Sequence, residues 1–238
     1  MFDDSLPDGW ERLLIHRRAV ASKINPLSLT PLDMLACMGE WAMGALVYRP
    51  ETEEPVDTGA IDLDRIAAQS RQVLKGAPEA LFPTLLRVGG SPGGARPKAV
   101  VCRDDPSGAL IHGAHLSAAE RKPEDAGLLR SAVVRPCRSG RLHLHSACGH
   151  LHVDFQQPSL DYKTLMILTF QLTKDHRQVV EMFRRAAFNL FAHNRDDHGR
   201  QFAYLMDRTG NWSLAPAYDL AYADGPGSST PTTPMSMF

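Results

Sequence analysis

Cysteine is scarce and scattered. Cys37, Cys102, Cys137 and Cys148 are the only four in 238 residues, and they stand at no spacing that suggests a disulfide framework or a zinc ribbon. Reduced thiols in a cytosolic protein are the plain expectation. Charge of one sign is lacking too. The net charge of −1 supplies no basic field that would mark nucleic acid as the main partner. No apolar run reaches the ~18 residues needed to cross a bilayer. Asp3, Asp4 and Asp8 occupy the place where a secretory signal needs a basic and then an apolar stretch. These absences predict a soluble, cytoplasmic chain with no membrane partner. Its hydrophobic content of 43% is ordinary for a protein that buries a core.

What is present begins with a turn, Pro7-Asp8-Gly9, ahead of a short amphipathic helix carrying Trp10, Leu13, Leu14 and Ile15. Thr30-Pro31-Leu32-Asp33 predicts a helix start: a Thr cap, Pro at the first helical position and an acid in the first turn, with Gly39 as the stop. Ala45 to Tyr48 reads as a strand, and Ile61 to Lys75 as a second amphipathic helix. The run from Gly89 to Lys98, GGSPGGARPK, is a glycine-rich loop feeding a strand at Ala99 to Val101. Such a loop brings backbone N–H groups near phosphates, although a plain hairpin loop has the same composition. Residues 112–142 show no sustained period. They predict the least compact internal part of the chain, with at most a helix near Ala118 to Arg121.

Further on, His143, His145, His150 and His152 surround Cys148 and invite a metal reading. No carboxylate or cysteine pair completes a known spacing, and strand histidines are commonly half-buried polar groups. Helices follow at about Tyr162 to Leu172 and His176 to Ala192. The second carries Val179, Val180, Met182, Phe183, Ala186, Ala187, Leu190 and Phe191 in a wide stripe expected to be core.

That second helix runs into a polar loop, Asn194-Arg195-Asp196-Asp197-His198. After a hairpin-like return the chain reaches another carboxylate, Asp219, in Tyr218-Asp219-Leu220. Phosphoryl transfer needs two acids laid out in this way. One accepts the proton of an attacking hydroxyl, and the other holds the metal that neutralises nucleotide phosphates. The plainer alternative is that Asp196 caps a turn and Asp219 ends a strand.

With Phe188-Asn189, the 194–198 loop and Pro216-Ala217-Tyr218-Asp219 together, the sequence resembles the HipA family. These are serine/threonine protein kinases that act as toxins in bacterial toxin–antitoxin pairs. The resemblance rests on the LPDGWERLL region, on GGSPGGARPK and on the stretch from His143 onward. It implies an α+β, bilobal protein-kinase-like fold with a mainly helical C-terminal lobe. Residues 1–140 would be the remnant of the N-terminal region and N-lobe, and 141–238 the catalytic lobe. It implies Asp196 as catalytic base, with His198 in the same loop, and Asp219 and Gln201 as ligands of Mg²⁺. Gly93, Gly94, Ala95, Arg96, Pro97 and Lys98 would cover ATP, and Tyr218 would lie against the nucleotide site. Ser91 would be the serine whose autophosphorylation ejects the loop. The implied partners are a protein substrate and a HipB-like helix-turn-helix antitoxin, with DNA reached only through the antitoxin.

The chain departs from the family pattern in several places. Gln201 stands where an Asn is usual. Leu110-Ile111-His112-Gly113 has no lysine where a phosphate-pairing strand lysine is expected, and Val133 to Arg141 replaces the adenine hinge. The family's first subdomain and its last helices have no counterpart, so an incomplete version of the fold is expected. A slow kinase and a catalytically inactive remnant that binds protein, for instance by sequestering an antitoxin, both fit these departures. A histidine-based metalloprotein is a third reading.

Overall fold

The structure is a computed structural model and describes residues 2–42, 44–51, 62–76, 84–85, 97–103, 110–112, 116–119, 130–136, 142–155, 160–194, 197–218 and 220. The chain forms two compact units, Ser5–Arg141 and Leu142–Phe238, and the second also takes Met1–Asp4. Among the described residues no helix is long and apolar enough to cross a membrane.

The Ser5–Arg141 unit starts with α1 (Gly9–Ala21), which buries Trp10, Leu14, Ile15 and Ala19. Helix α2 (Pro31–Met38) begins as expected. Thr30 and Asp33 form a reciprocal capping box, which satisfies two of the otherwise orphaned N-terminal donors. It ends at Gly39, whose φ of +49° suits a residue without Cβ. Ile15, Met38 and Ala42 make a small core, with Leu29, Cys37 and Tyr48 packed on it. The strand expected at Ala45 to Tyr48 is absent. That segment is irregular, and the Tyr48 N–H bonds to the Gly39 carbonyl at 3.1 Å rather than to a neighbouring strand. Helix α3 (Leu63–Leu74) is capped by the Asp62 side chain and buries Ile66, Ser70 and Val73.

A four-stranded sheet in the order β2-β1-β4-β3 completes this unit: β1 (Lys98–Arg103), β2 (Leu110–His112), β3 (Leu116–Ala119) and β4 (Arg130–Pro136). The β1 and β4 strands run parallel, and the other two pairs are antiparallel. This corrects the expected helix near Ala118 to Arg121. Ala118 and Ala119 belong to a strand, not a helix, and β4 passes through Ala132 to Arg135. In β4 only Ala132, Val133 and Val134 are apolar between Arg130 and Arg135-Pro136. The strand is therefore held by backbone pairing to a partner some thirty residues back, which leaves no periodic trace.

The other unit is built on β5 (His143–Ser146), α4 (Ala147–Leu151), α5 (Tyr162–Thr173), α6 (His176–Phe191), β6 (Ala203–Met206) and β7 (Trp212–Leu214). The three strands form an antiparallel sheet in the order β5-β6-β7. The β6–β7 turn is held by Asp207, whose carboxylate accepts N–H bonds from Thr209 and Asn211, while Gly210 takes a φ of +86°. Asp161 and Asp175 cap α5 and α6. Ala147, Tyr162, Leu165, Leu168, Met182, Ala186, Phe202 and Tyr204 form the core.

Helix α6 turns a face inward that its apolar stripe does not predict. Met182, Arg185, Ala186 and Asn189 are buried. Val180, Phe183, Leu190 and Phe191 are half or more exposed, with Phe191 at 82%. The orientation follows from the hydrogen-bond partner that awaits Asn189 on α5. Gln178, also on α6, accepts the Leu214 N–H of β7 at 2.5 Å.

Candidate active site

Four buried polar side chains surround the two ends of the polar loop. Asn194 opens it at 4% exposure and Asp197 closes it at 3%. Arg195 and Asp196, between them, lie outside the described residues. The Tyr162 hydroxyl, from the first turn of α5, donates to Asp197 Oδ2 at 2.6 Å. Asn189 Nδ2, from α6, donates to the same Tyr162 oxygen at 2.9 Å, and Asn194 Nδ2 donates to Asn189 Oδ1 at 3.1 Å. Burial and the adjoining Asp197 carboxylate push the Tyr162 phenol well above its usual pKa.

The loop then runs through His198 into a 3-10 turn, Gly199–Gln201, closed by the Gln201 N–H on the His198 carbonyl at 2.9 Å. Gly199 has no substitute here. A Cβ on it would lie 2.6 Å from Cys148 Sγ and 2.6 Å from Leu160 Cδ1. Burial also pushes the Cys148 thiol up to about 12, so it stays protonated as a small packing group. The His198 ring packs on Phe155 at 5.3 Å between centroids, and the Arg200 guanidinium lies 4.6 Å from the same Phe155 ring.

The second acidic segment is tied to this turn. The Tyr218 hydroxyl donates a short hydrogen bond to the Arg200 carbonyl. The residue before Asp219 is thereby pinned to the residue before Gln201, though the two segments stand 18 positions apart. Asp219 itself lies outside the described residues, as do Ser91, Gly93, Gly94, Ala95 and Arg96. Pro97 is buried directly ahead of β1, and Lys98 is the first residue of that strand. His198, Gln201 and Tyr218 thus come together through one turn. Pro97 and Lys98 belong to the other unit.

Residues from the start of the chain hold the segments around this turn. The Asp4 carboxylate accepts the Ser146 N–H at 2.7 Å, the Ser146 hydroxyl at 2.6 Å and His145 Nδ1 at 2.6 Å. Burial works against the ionised form, yet these bonds hold the carboxyl down at about 2. Next door, the Asp3 carbonyl accepts from the Arg200 guanidinium at 2.7 Å. Gly149 is packed so closely on this clasp that a Cβ would sit 2.3 Å from Asp4 Oδ2. Asp4 lies 142 positions from Ser146, so no local pattern could reveal the contact. Asn189 was the one visible signal, as a polar residue among apolar helix positions.

The histidines form an aromatic cluster. His150 meets His145, Tyr204 and Trp212 edge-on, and His143 stacks on His145. Burial, followed by the neighbouring His145, lowers the His150 pKa to about 4, and the same two causes lower His143. Among the described residues no three His, Cys, Asp or Glu side chains gather as metal ligands.

Residues 121–237 match the family described as the HipA-like C-terminal domain. Residues 121–237, just under half of the chain, are thus a HipA-like C-terminal domain. Its fold is similar to that of a chain from the Shewanella oneidensis MR-1 toxin–antitoxin complex of HipA, HipB and operator DNA, with a TM-score of 0.55. The likeness covers 92% of this chain and 62% of that one, at 13% identity, and so concerns the fold alone. No curated protein matches the sequence. The mixed helices and small sheets described above are therefore a HipA-like arrangement.

Proposed function

We propose that this chain is a HipA-like serine/threonine protein kinase of low turnover, built on a bilobal kinase-like plan that it carries incompletely. The observation supporting the reading is the Tyr218–Arg200 hydrogen bond. It ties the segment bearing Asp219 to the turn that follows Asp196, as two carboxylates sharing one nucleotide require. In this reading Asp196 accepts the proton of a Ser or Thr hydroxyl as its oxygen attacks the γ-phosphorus of ATP, and ADP leaves. Asp219 and Gln201 offer a carboxylate and an amide oxygen, the donor types of a hard cation, and would hold Mg²⁺. When bound, the cation neutralises phosphate charge. The loop from Gly93 to Lys98 covers the nucleotide, and Ser91 is the site of self-phosphorylation.

Low turnover follows from two substitutions in sequence. Gln201 carries one methylene more than Asn, and a misplacement of ~1 Å costs about 10²-fold. The absence of a lysine in Leu110–His112 removes a fixed charge worth on the order of 10²–10³ in rate. A HipB-like antitoxin is the proposed protein partner, with DNA engaged only through it. This follows the complex in which the structural relative was solved.

The test is phosphate transfer from ATP with Mg²⁺ by the purified chain, beside Asp196→Ala. Slow incorporation at Ser91 or into a protein substrate, abolished by the substitution, is the expected result. Incorporation unchanged in Asp196→Ala would remove the assignment. No incorporation in either, with retained binding of a HipB-like protein, would leave the inactive binding module as the better account.

A further inference from the structure

We propose that Tyr162 is the positioning residue for the Asp196 loop, a role that rests on the phosphotransfer reading of that loop. The hydrogen bonds around it have one polarity only. The Tyr162 hydroxyl donates its proton to Asp197 Oδ2 at 2.6 Å. The phenol oxygen is then left as an acceptor and takes the Asn189 amide proton at 2.9 Å. That fixes the orientation of the Asn189 amide and leaves its oxygen to accept from Asn194 at 3.1 Å. Every side chain in the series is at most 4% exposed. Satisfying buried polar groups would be simpler with apolar residues. Here the two side chains supplied by the loop are instead linked to one hydroxyl, Asp197 directly and Asn194 through Asn189.

The geometric result is two anchored positions, Asn194 and Asp197, which flank residues 195–196 in the sequence. Asn194 is also held by its backbone N–H on the Asn189 carbonyl at 2.9 Å, where α6 ends. Asp196 is the sequence neighbour of the fixed Asp197. Tyr162 and Asn189 belong to regular helices, α5 and α6. The hub therefore sits on a rigid support.

Tyr162→Phe keeps the ring and its edge contact with Phe202 at 5.8 Å, and it removes the donor to Asp197 and the acceptor for Asn189 together. In the whole chain, kcat for phosphate transfer is expected to fall about 10- to 100-fold, since misplacement by ~1 Å costs about 10². KM for ATP should change by less than about threefold, because no proposed nucleotide contact is touched. Amide exchange in residues 194–201 should quicken about tenfold or more, with the middles of α5 and α6 unchanged. An unchanged kcat in an active parent, or a loss confined to KM, overturns the proposal. If the parent transfers no phosphate, the kinase reading falls, and exchange in 194–201 alone decides: faster supports the positioning role, unaltered refutes it. Should Tyr162→Phe unfold the chain, Asn194→Ala gives the same readouts with a smaller expected change, and no change in exchange there refutes the role as well.

Discussion

Among the described residues, the buried polar side chains of the Ser5–Arg141 unit are Ser5, Glu11 and Ser70, whereas the other unit buries His145, Ser146, Thr169, Arg185, Asn189, Asn194 and Asp197. The second set is connected. Ser146 and His145 share Asp4, Thr169 bridges the Leu165 carbonyl and the Tyr204 hydroxyl, and Asn194, Asn189, Tyr162 and Asp197 form one series. In the first unit, Ser70 Oγ, Gln69 Oε1 and His16 Nε2 are buried atoms with no hydrogen-bond partner among the described residues. His150 Nε2 is the comparable atom in the second unit. The contrast teaches where order is specified. Apolar packing alone tolerates repacking, while a satisfied polar network accepts one arrangement, and the networks here cluster behind the loop that carries Asp196.

The largest effect that would sharpen this contrast is at Asp4. Asp4→Ala strips the acceptor from His145 and Ser146, and it should cost about 3 kcal/mol in the stability of the Leu142–Phe238 unit. Urea unfolding followed at β5 amides checks this, and a loss below about 1 kcal/mol would place Asp4 outside the network.

Acid should act on the same place in two stages. His150 and His143 are held below their usual value of 6.5, so they fold neutral. The stability they contribute is present above pH 6.5 and is lost as pH falls, for His150 toward about 4. Asp4 is held below 3.8, so its contribution survives until pH falls from 3.8 through about 2. Denaturation midpoints measured from pH 7 to 2.5 should show both stages, and His150→Gln should flatten the upper one.

Gly199→Ala should cost about 1–3 kcal/mol through overpacking on Cys148 and Leu160. It should also slow any phosphate transfer by displacing Gln201. Thermal unfolding and activity, measured together, test whether the two effects travel as a pair.

The smallest pair breaks the comparison outright if it fails. Thr169→Val should cost about 1 kcal/mol, because it leaves Tyr204 short of a partner at a fully buried position. Ser70→Ala should stay within about 0.5 kcal/mol, having no bond to lose among the described residues. Equal losses would mean that the two units treat polar burial alike.

Local chemistry was legible in sequence wherever it is self-contained. The Thr30-Asp33 box, the helix beginning at Gly9, and the paired helices at Tyr162 and His176 all follow from caps and turns a few residues long. The face of α6 was not legible, because its apolar stripe and its buried face differ. Phe183 and Phe191 point outward while Arg185 and Asn189 turn in, a choice made by partners on other elements. The β4 strand and the Asp4 clasp were hidden for the same reason, since each depends on a residue far away in the chain. Of the candidate site, His198, Gln201 and Tyr218 were legible as motif positions. Their mutual tie through Arg200 and the Tyr162 hub were not, because a carbonyl acceptor and an unremarkable tyrosine carry no signature.

One consequence concerns how molecules of this protein meet each other. A three-stranded sheet has two open edges, and an open edge with a free N–H is a template on which another chain can pair and aggregate. Here one outer donor, the Ser146 N–H of β5, is taken by the Asp4 carboxylate, and the other, the Leu214 N–H of β7, is taken by the Gln178 amide. Both stoppers come from outside the sheet, one from the start of the chain and one from a helix. Each offers an acceptor and no further strand, so β-addition is blocked at both of these positions. At these two positions the edge donors are satisfied by side chains that contribute nothing to the apolar core.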